Sequence, residues 1–463
     1  MANKPQAKKY QNSYTILDFL NNLSTLYAVV LFVALSLFMP TGYNNLGLHK
    51  FNMFKGITIP FLIIALPFSI FVFFRDRNLI LNNVKQNPVK YLPHFFVLAY
   101  GISHIISFIV SDYKNDALWG ISGWNMGLMT QLMLVSIFFV IVLAKPDTKW
   151  VIYGALIGSA ATFLLAILNR FAVYPINIPI KSPEFISTIG QTNWFCGYMT
   201  IFIGVGIGLF IQADFKEKNL WGNLLFGYLF ISFLALWIQG SDTIFFSIGI
   251  ILLVLMPFCT NDRISLIKYF MLYALLGLCG EIIYFFAYIF LPDRYQVWEE
   301  NDLGNMLLRS HCGIILFAIS IIILVFILFR HKKEKPFPQK ALKNTVKIIY
   351  ILVIVSFITI LILMYLVTTR KEAMGPLYDI KLLRFTNRWG TSRGLIWKKT
   401  ASAFTKLPAL NKIFGVGTSC LYDCLYNFTG ISNKFSKSFG SDIVFNAHNE
   451  GLTFLIENGI LGV

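Results

Sequence analysis

Long apolar stretches alternate along the chain with short polar connections, and their lengths fit a bilayer. A hydrocarbon core of about 30 Å is crossed by about 20 residues of helix rising 1.5 Å each. Runs of that kind lie at 22–40, 56–74, 91–110, 127–144, 150–169, 194–212, 220–238, 242–259, 266–291, 311–330 and 347–368. Each predicts an α-helix, because a segment in lipid must satisfy its own backbone polar groups. The pattern thus predicts an all-α integral membrane protein with about eleven complete transmembrane helices. The first run follows a polar stretch and ends in Phe38-Met39-Pro40 without a small-residue cleavage site, so it reads as a span that stays and not as a signal peptide.

Composition narrows the class further. Of 463 residues, 56% are hydrophobic and 13% charged, against about 25% charged in soluble domains. A chain this apolar cannot remain solvated coil, and six cysteines in 463 residues do not make a disulfide scaffold. No repeat of about 20–50 residues stands out.

Lysine and arginine set the orientation. The segment before the first run and every second connection after it carry Lys4, Lys8, Lys9, Arg75, Arg77, Lys85, Lys90, Lys145, Lys149, Lys216, Lys218, Arg263, Lys268 and the seven basic residues of 330–347, twenty in all. The short connections on the other side carry Lys50, Lys55, Lys114, Arg170, Lys181, Arg294 and Arg309, a total of seven. Twenty against seven predicts a cytoplasmic N-terminus in a multi-pass protein of the cytoplasmic membrane. The chain accordingly divides into a polytopic region, 1–368, a large extracytoplasmic loop, 369–450, and the start of a final span, 451–463.

That loop holds twelve basic residues, opposed before Asn449 by Glu372, Asp379, Asp423 and Asp442. Attraction to anionic headgroups and a site for an anionic substrate such as a lipid-linked diphosphate both fit this charge. Its motifs say more. Phe385-Thr386-Asn387-Arg388-Trp389-Gly390-Thr391-Ser392-Arg393-Gly394-Leu395-Ile396-Trp397 precedes a short helical stretch over about 395–407. A glycine-punctuated turn, Gly415-Val416-Gly417, follows, and then Ala447-His448-Asn449-Glu450 leads into a last apolar run. Upstream, Thr188-Ile189-Gly190-Gln191-Thr192-Asn193-Trp194 precedes the sixth span and Gln239-Gly240-Ser241-Asp242 follows the seventh.

The arginine near tryptophan, the Gly-x-Gly turn and Ala-His-Asn-Glu, in this order within one external loop, resemble the O-antigen ligase family, which is related to the O-antigen polymerases, and the two upstream motifs are weaker matches to it. The resemblance covers about 185–463 and departs at Asp242, where many relatives carry arginine. The family continues into another full span, so 451–463 reads as the start of a twelfth span and the chain as clipped and inactive without it. The resemblance implies a C-type glycosyltransferase, which moves a glycan from a polyisoprenyl (undecaprenyl) diphosphate carrier to a hydroxyl on a glycan, lipid or protein acceptor outside the membrane. It implies no cofactor and no nucleic-acid partner; membrane lipids and the lipid-linked glycan donor are the expected partners.

Displacing a diphosphate needs a base for the acceptor's proton and cations for the leaving charge. His448 is the loop's one histidine and the candidate base. Arg393 best matches the family's functional arginine, with Arg388 a second contact and Arg170, ending the fifth span, a third. Asn449 and Glu450 support His448 or cap the following helix. No Asp-x-Asp motif offers a metal site in the loop, so transfer is expected to be metal-independent. His94, His104 and Glu281 lie in spans, where they line a carrier cavity or bond between helices. Cys420 and Cys424 either bridge or pack as small apolar groups. A repeat-unit polymerase on the same carrier is the neighbouring alternative, and a flippase of lipid-linked sugars the alternative from another class.

Overall fold

The computed structural model describes residues 4–176, 178, 181–214, 220–297, 302–333, 336–427 and 444–463. Lys216, Lys218, Lys335, Lys434, Lys437 and Asp442, counted above for charge, lie outside the described residues. The helices run α1 Lys4–Val30, α2 Leu46–Gln86, α3 Pro88–Val110, α4 Lys114–Trp119, α5 Leu128–Ala144, α6 Thr148–Arg170, α7 Thr192–Gln212, α8 Leu220–Ile238, α9 Thr243–Cys259, α10 Arg263–Phe285, α11 Leu303–Arg309, α12 Cys312–Lys332, α13 Gln339–Arg370, α14 Trp389–Lys406, α15 Ala409–Phe414 and α16 Leu421–Asn427, closed by Glu450–Glu457. A two-residue antiparallel pairing of Phe185–Ile186 with Gly190–Gln191 is the one sheet among the described residues.

The architecture is all-helical, as the apolar pattern predicts. Nine helical stretches among the described residues are long and apolar enough to cross a membrane. The expected runs at 127–144 and 242–259 are the apolar helices α5 and α9, each of 17 residues. One expectation is corrected. Arg75, Arg77 and Lys85 do not sit in a loop, because α2 runs 41 residues without a break, Pro60 and Pro67 included. At roughly 61 Å it outreaches a hydrocarbon core. Hydropathy reports only the lipid-depth part of a helix, and nothing before Asn87 stops this one.

The chain forms two compact units: Met1–Tyr27, Phe51–Asp147 and Val353–Val463 in one, Ala28–Lys50 and Thr148–Leu352 in the other. In the first, Tyr27 of α1 stacks on Phe61 of α2 at 3.9 Å. The segment after α13 shares a core there with α4, in which Ala117 of α4, Ile396 and Ala403 of α14, Leu421 and Leu425 of α16 and Ile456 pack together. A segment anchored in a buried apolar cluster can hold side chains at fixed positions, which a solvated loop cannot.

In the second unit, Phe163, Phe195, Phe210 and Phe233 of α6, α7 and α8 are fully buried. In it α10 packs closely on α12. A Cβ at Gly277 would stand 2.5 Å from Gly313 O, and one at Gly313 would stand 2.7 Å from Gly277 O. Without a hydrophobic drive between helices in lipid, small residues that admit close backbones supply the packing. Gly277→Val should therefore lower the thermal midpoint of the purified protein by the equivalent of about 1–3 kcal/mol of overpacking. Gly249→Ala in α9, where an added Cβ meets nothing within 4 Å, should leave it unchanged. Equal midpoints for the two variants would refute the close packing.

Candidate functional site

The first unit positions the loop motifs in three steps. Within the first turn of α14 the backbone is left-handed: φ is +58° at Gly390, +58° at Thr391 and +70° at Ser392. The right-handed helix begins only afterwards, at Arg393. Gly394 is required there, because an added Cβ would collide with Thr386 O. Leu395 N donates to Asn387 O at 3.1 Å and Trp389 N to Thr386 O at 3.1 Å, fastening the helix start to the strand of chain before it. Phe385, Trp389 and Trp397 form an aromatic cluster with centroids 5.4–6.1 Å apart. Arg388 and Arg393 stand exposed at this turn.

The second step fixes the histidine. The Trp397 indole donates to Ala447 O at 2.9 Å, and Ala447 N donates to Thr453 Oγ1 at 3.1 Å. Asn449 caps the Glu450–Glu457 helix, its side chain accepting from Leu452 N at 3.1 Å. Glu450 opens that helix, where a carboxylate suits the positive end of the dipole. Between these anchors His448 is exposed, with φ +48° and its backbone N donating to Asn446 Oδ1 at 2.9 Å. Partial desolvation, and then the Arg393 guanidinium, hold its imidazole below the usual 6.5. At pH 7 the ring is neutral and able to take a proton. His448 and Arg393 thus act on one another; Arg388 lies at the start of α14, its carbonyl accepting from Ser392 N at 3.4 Å.

The third step is the glycine turn. Gly415 has φ +86° and Gly417 φ +121°. A Cβ at Gly415 would strike Glu457 O, and Val416 N and Gly417 N donate to Ile456 O and Glu457 O at 3.0 and 3.2 Å. These glycines let two backbones lie side by side. Helix α3 holds the assembly from beneath. His104, 1% exposed, meets Thr418 Oγ1 at 2.7 Å and Asn458 Nδ2 at 3.0 Å through Nδ1, and Ser107 Oγ donates to Glu457 O. Sequence reasoning flagged His104 as a polar residue in a span, but it missed Thr418, Asn458 and Glu457, which show no motif.

Arg170, the third expected diphosphate contact, belongs to the second unit. It is 3% exposed. Its guanidinium donates to the carbonyls of Ile238 at 2.7 Å, Pro183 at 3.1 Å, Gln296 at 2.9 Å and Gln239 at 3.1 Å. A guanidinium so engaged clasps loops and has little left for a diphosphate. The two upstream motifs meet beside it. Ser241 Oγ donates to Asn193 Oδ1 at 2.7 Å, and Gln191 caps α7 through Asn193 N and Trp194 N. Asp242 accepts from Leu303 N at 2.8 Å and so holds the start of α11.

The other flagged residues have structural partners. Glu281 accepts from His311 Nδ1 at 3.1 Å and from Ile314 N at 2.9 Å, satisfying the start of α12. His94 packs its ring against Tyr91 and Phe138. Cys420 and Cys424 are both free and buried, and burial pushes their thiols up, Cys424 to about 12, so they pack as small apolar groups. Asp423 of α16, 9% exposed, was not singled out from the sequence; burial and then the Asp116 carboxylate push it up to about 6. Among the described residues no group of three or more His, Cys, Asp or Glu side chains gathers to hold a metal ion.

Neither the curated proteins nor the solved structures give a significant match to the chain. The family models give one, over α11, α12, α13 and the whole segment that carries Arg388, Arg393 and His448. Residues 303–463 match the model described as O-Antigen ligase, so this part of the chain is similar to that family.

Proposed function

We propose that the protein is a membrane glycosyltransferase that moves a glycan from a polyisoprenyl (undecaprenyl) diphosphate to a hydroxyl acceptor on the extracytoplasmic face of the cytoplasmic membrane. The family match supports glycosyl transfer of the O-antigen ligase kind in general. The observation that carries the finer reading is the pairing of an exposed imidazole with the arginine that lowers its proton affinity. The acceptor hydroxyl gives its proton to His448 as its oxygen bonds to the anomeric carbon. The bond from that carbon to the diphosphate oxygen breaks, and the diphosphate leaves with the electron pair. Arg393, with Arg388 beside it, meets the leaving charge through a planar fork that stays charged and matches phosphate oxygens. In this reading the arginines supply the electrostatic stabilisation a divalent ion gives in other transferases. Asn449 and Glu450 hold the helix start behind His448. Arg170 has no contact with the donor here, its donors being engaged by carbonyls.

The test is release of undecaprenyl diphosphate from a lipid-linked glycan in proteoliposomes, with and without a chelator. Turnover that requires an acceptor and is unchanged by the chelator is the expected result. Turnover abolished by the chelator would overturn the metal-independent mechanism. Movement of the glycolipid across the bilayer with no transfer to any acceptor would replace the transferase by a flippase.

A further inference from the structure

The second unit has a cleft of about 370 Å³ between the C-terminal end of α9 and the first turns of α13. Its lining joins apolar Phe258 of α9 and Val346 of α13 to the exposed lysines Lys343 and Lys347. Helix α13 is seated around this cleft. Tyr350 Oη donates to Leu253 O at 2.9 Å, Gln339 Nε2 donates to Asn261 O at 3.3 Å, and Val346 is buried. Farther along α13, its most apolar stretch has no buried residue at all.

The two lysines are four residues apart, so they project from one face of the helix. Both are exposed, no acidic residue lines the cleft, and among the described residues neither lysine joins an ion pair. Like charges at this spacing repel, at a cost that an anion between them would reverse. A free anion would use the lysines and leave the apolar lining uncovered. A molecule with a phosphate at one end and an acyl chain at the other fills both.

We propose that this cleft binds one anionic phospholipid, its headgroup phosphate between Lys343 and Lys347 and an acyl chain along Phe258 and Val346. The cleft lies where the polar connections 259–263 and 330–347 begin and end, the side that the lysine count places in the cytoplasm. There the leaflet is rich in anionic lipid. The inference rests on the membrane reading but not on glycosyl transfer, so it stands or falls separately from His448.

The experiment titrates phosphatidylglycerol or phosphatidylcholine into the detergent-solubilised full chain and follows the thermal midpoint. Phosphatidylglycerol should raise it saturably, and phosphatidylcholine much less. In Lys343→Gln/Lys347→Gln the midpoint of the phosphatidylglycerol titration should move about 30-fold higher, the loss of two lysine contributions. Both lysines are exposed, so the lipid-free variant should unfold as wild type does. Lys85→Gln/Lys90→Gln, which removes two exposed lysines from the other unit, should behave as wild type. Equal response to the two lipids, an unmoved titration in the first variant, or an equal shift in the second would each overturn the site. So would inorganic phosphate alone reproducing the full gain, since that needs no acyl chain.

Discussion

His448→Ala lowers glycan transfer by about 10²- to 10⁴-fold, the usual worth of a positioned general base, while the protein unfolds at nearly the wild-type temperature. The two halves of this expectation have separate grounds. The loss in rate follows from an imidazole held neutral at pH 7 beside Arg393. The unchanged stability follows from exposure: truncating an exposed side chain leaves no cavity and costs within about 0.5 kcal/mol. The backbone adds a refinement, because His448 has φ +48°, a conformation that asparagine adopts more readily than most residues. His448→Asn keeps the turn and removes the base, so it should be as inactive as His448→Ala and fold at least as well. Transfer at the wild-type rate in His448→Asn would take the imidazole out of the chemistry. Equal losses of rate and of thermal stability in both variants would make it a structural residue.

The apolar runs were legible because length and hydropathy together force a helix in lipid, and α1 to α13, apart from the short α4 and α11, fall on them. What hydropathy could not show is where a helix ends in water. It placed a loop at 75–90, whereas α2 continues to Gln86 because neither Pro60 nor Pro67 breaks it. Around the site, glycines were legible as turns, and Gly415 and Gly417 do have positive φ. The left-handed turn before Arg393 was not, since Thr391 and Ser392 carry no signal for φ near +60°; the neighbouring backbone imposes it.

Long-range pairing was the larger gap. His104 was visible as a polar residue in an apolar span, but its partners Thr418 and Asn458 lie 314 and 354 residues away. No periodicity links positions that far apart. Arg170 shows the same gap from the other side. Its place at the end of a span suggested a ligand for phosphate, yet four carbonyls from three other chain segments converge on it. A cation's position along the sequence says nothing of the acceptors that folding brings to it. Asp242 was legible only as a missing arginine, and its actual partner, Leu303 N, lies 61 residues on.

Arg393→Gln should have two effects that no surface substitution would combine. Losing a charged hydrogen-bond donor to the diphosphate, worth about 1.5–3 kcal/mol, lowers kcat/KM by about 10- to 100-fold. The second effect is on pH dependence. In the wild type the imidazole's pKa lies below 6.5, so activity holds until the pH falls through that depressed value, where His448 gains a proton and stops acting as a base. Removing the Arg393 charge raises the pKa, and the acid limb of the kcat/KM profile moves up in pH. It stops short of the unperturbed value, because partial burial, the larger cause of the depression, remains. The variant therefore loses more activity at pH 6 than at pH 8. Arg393→Lys separates the two effects: the lysine keeps the charge and hence the low acid limb, but it lacks the bidentate fork and so keeps most of the rate loss. Arg388→Gln should weaken the donor contact with the limb unmoved, since the Arg388 charge is not among those acting on His448. An acid limb that stays in place in Arg393→Gln would mean the two residues act independently, and the case for one catalytic pair would fail even if each variant were inactive.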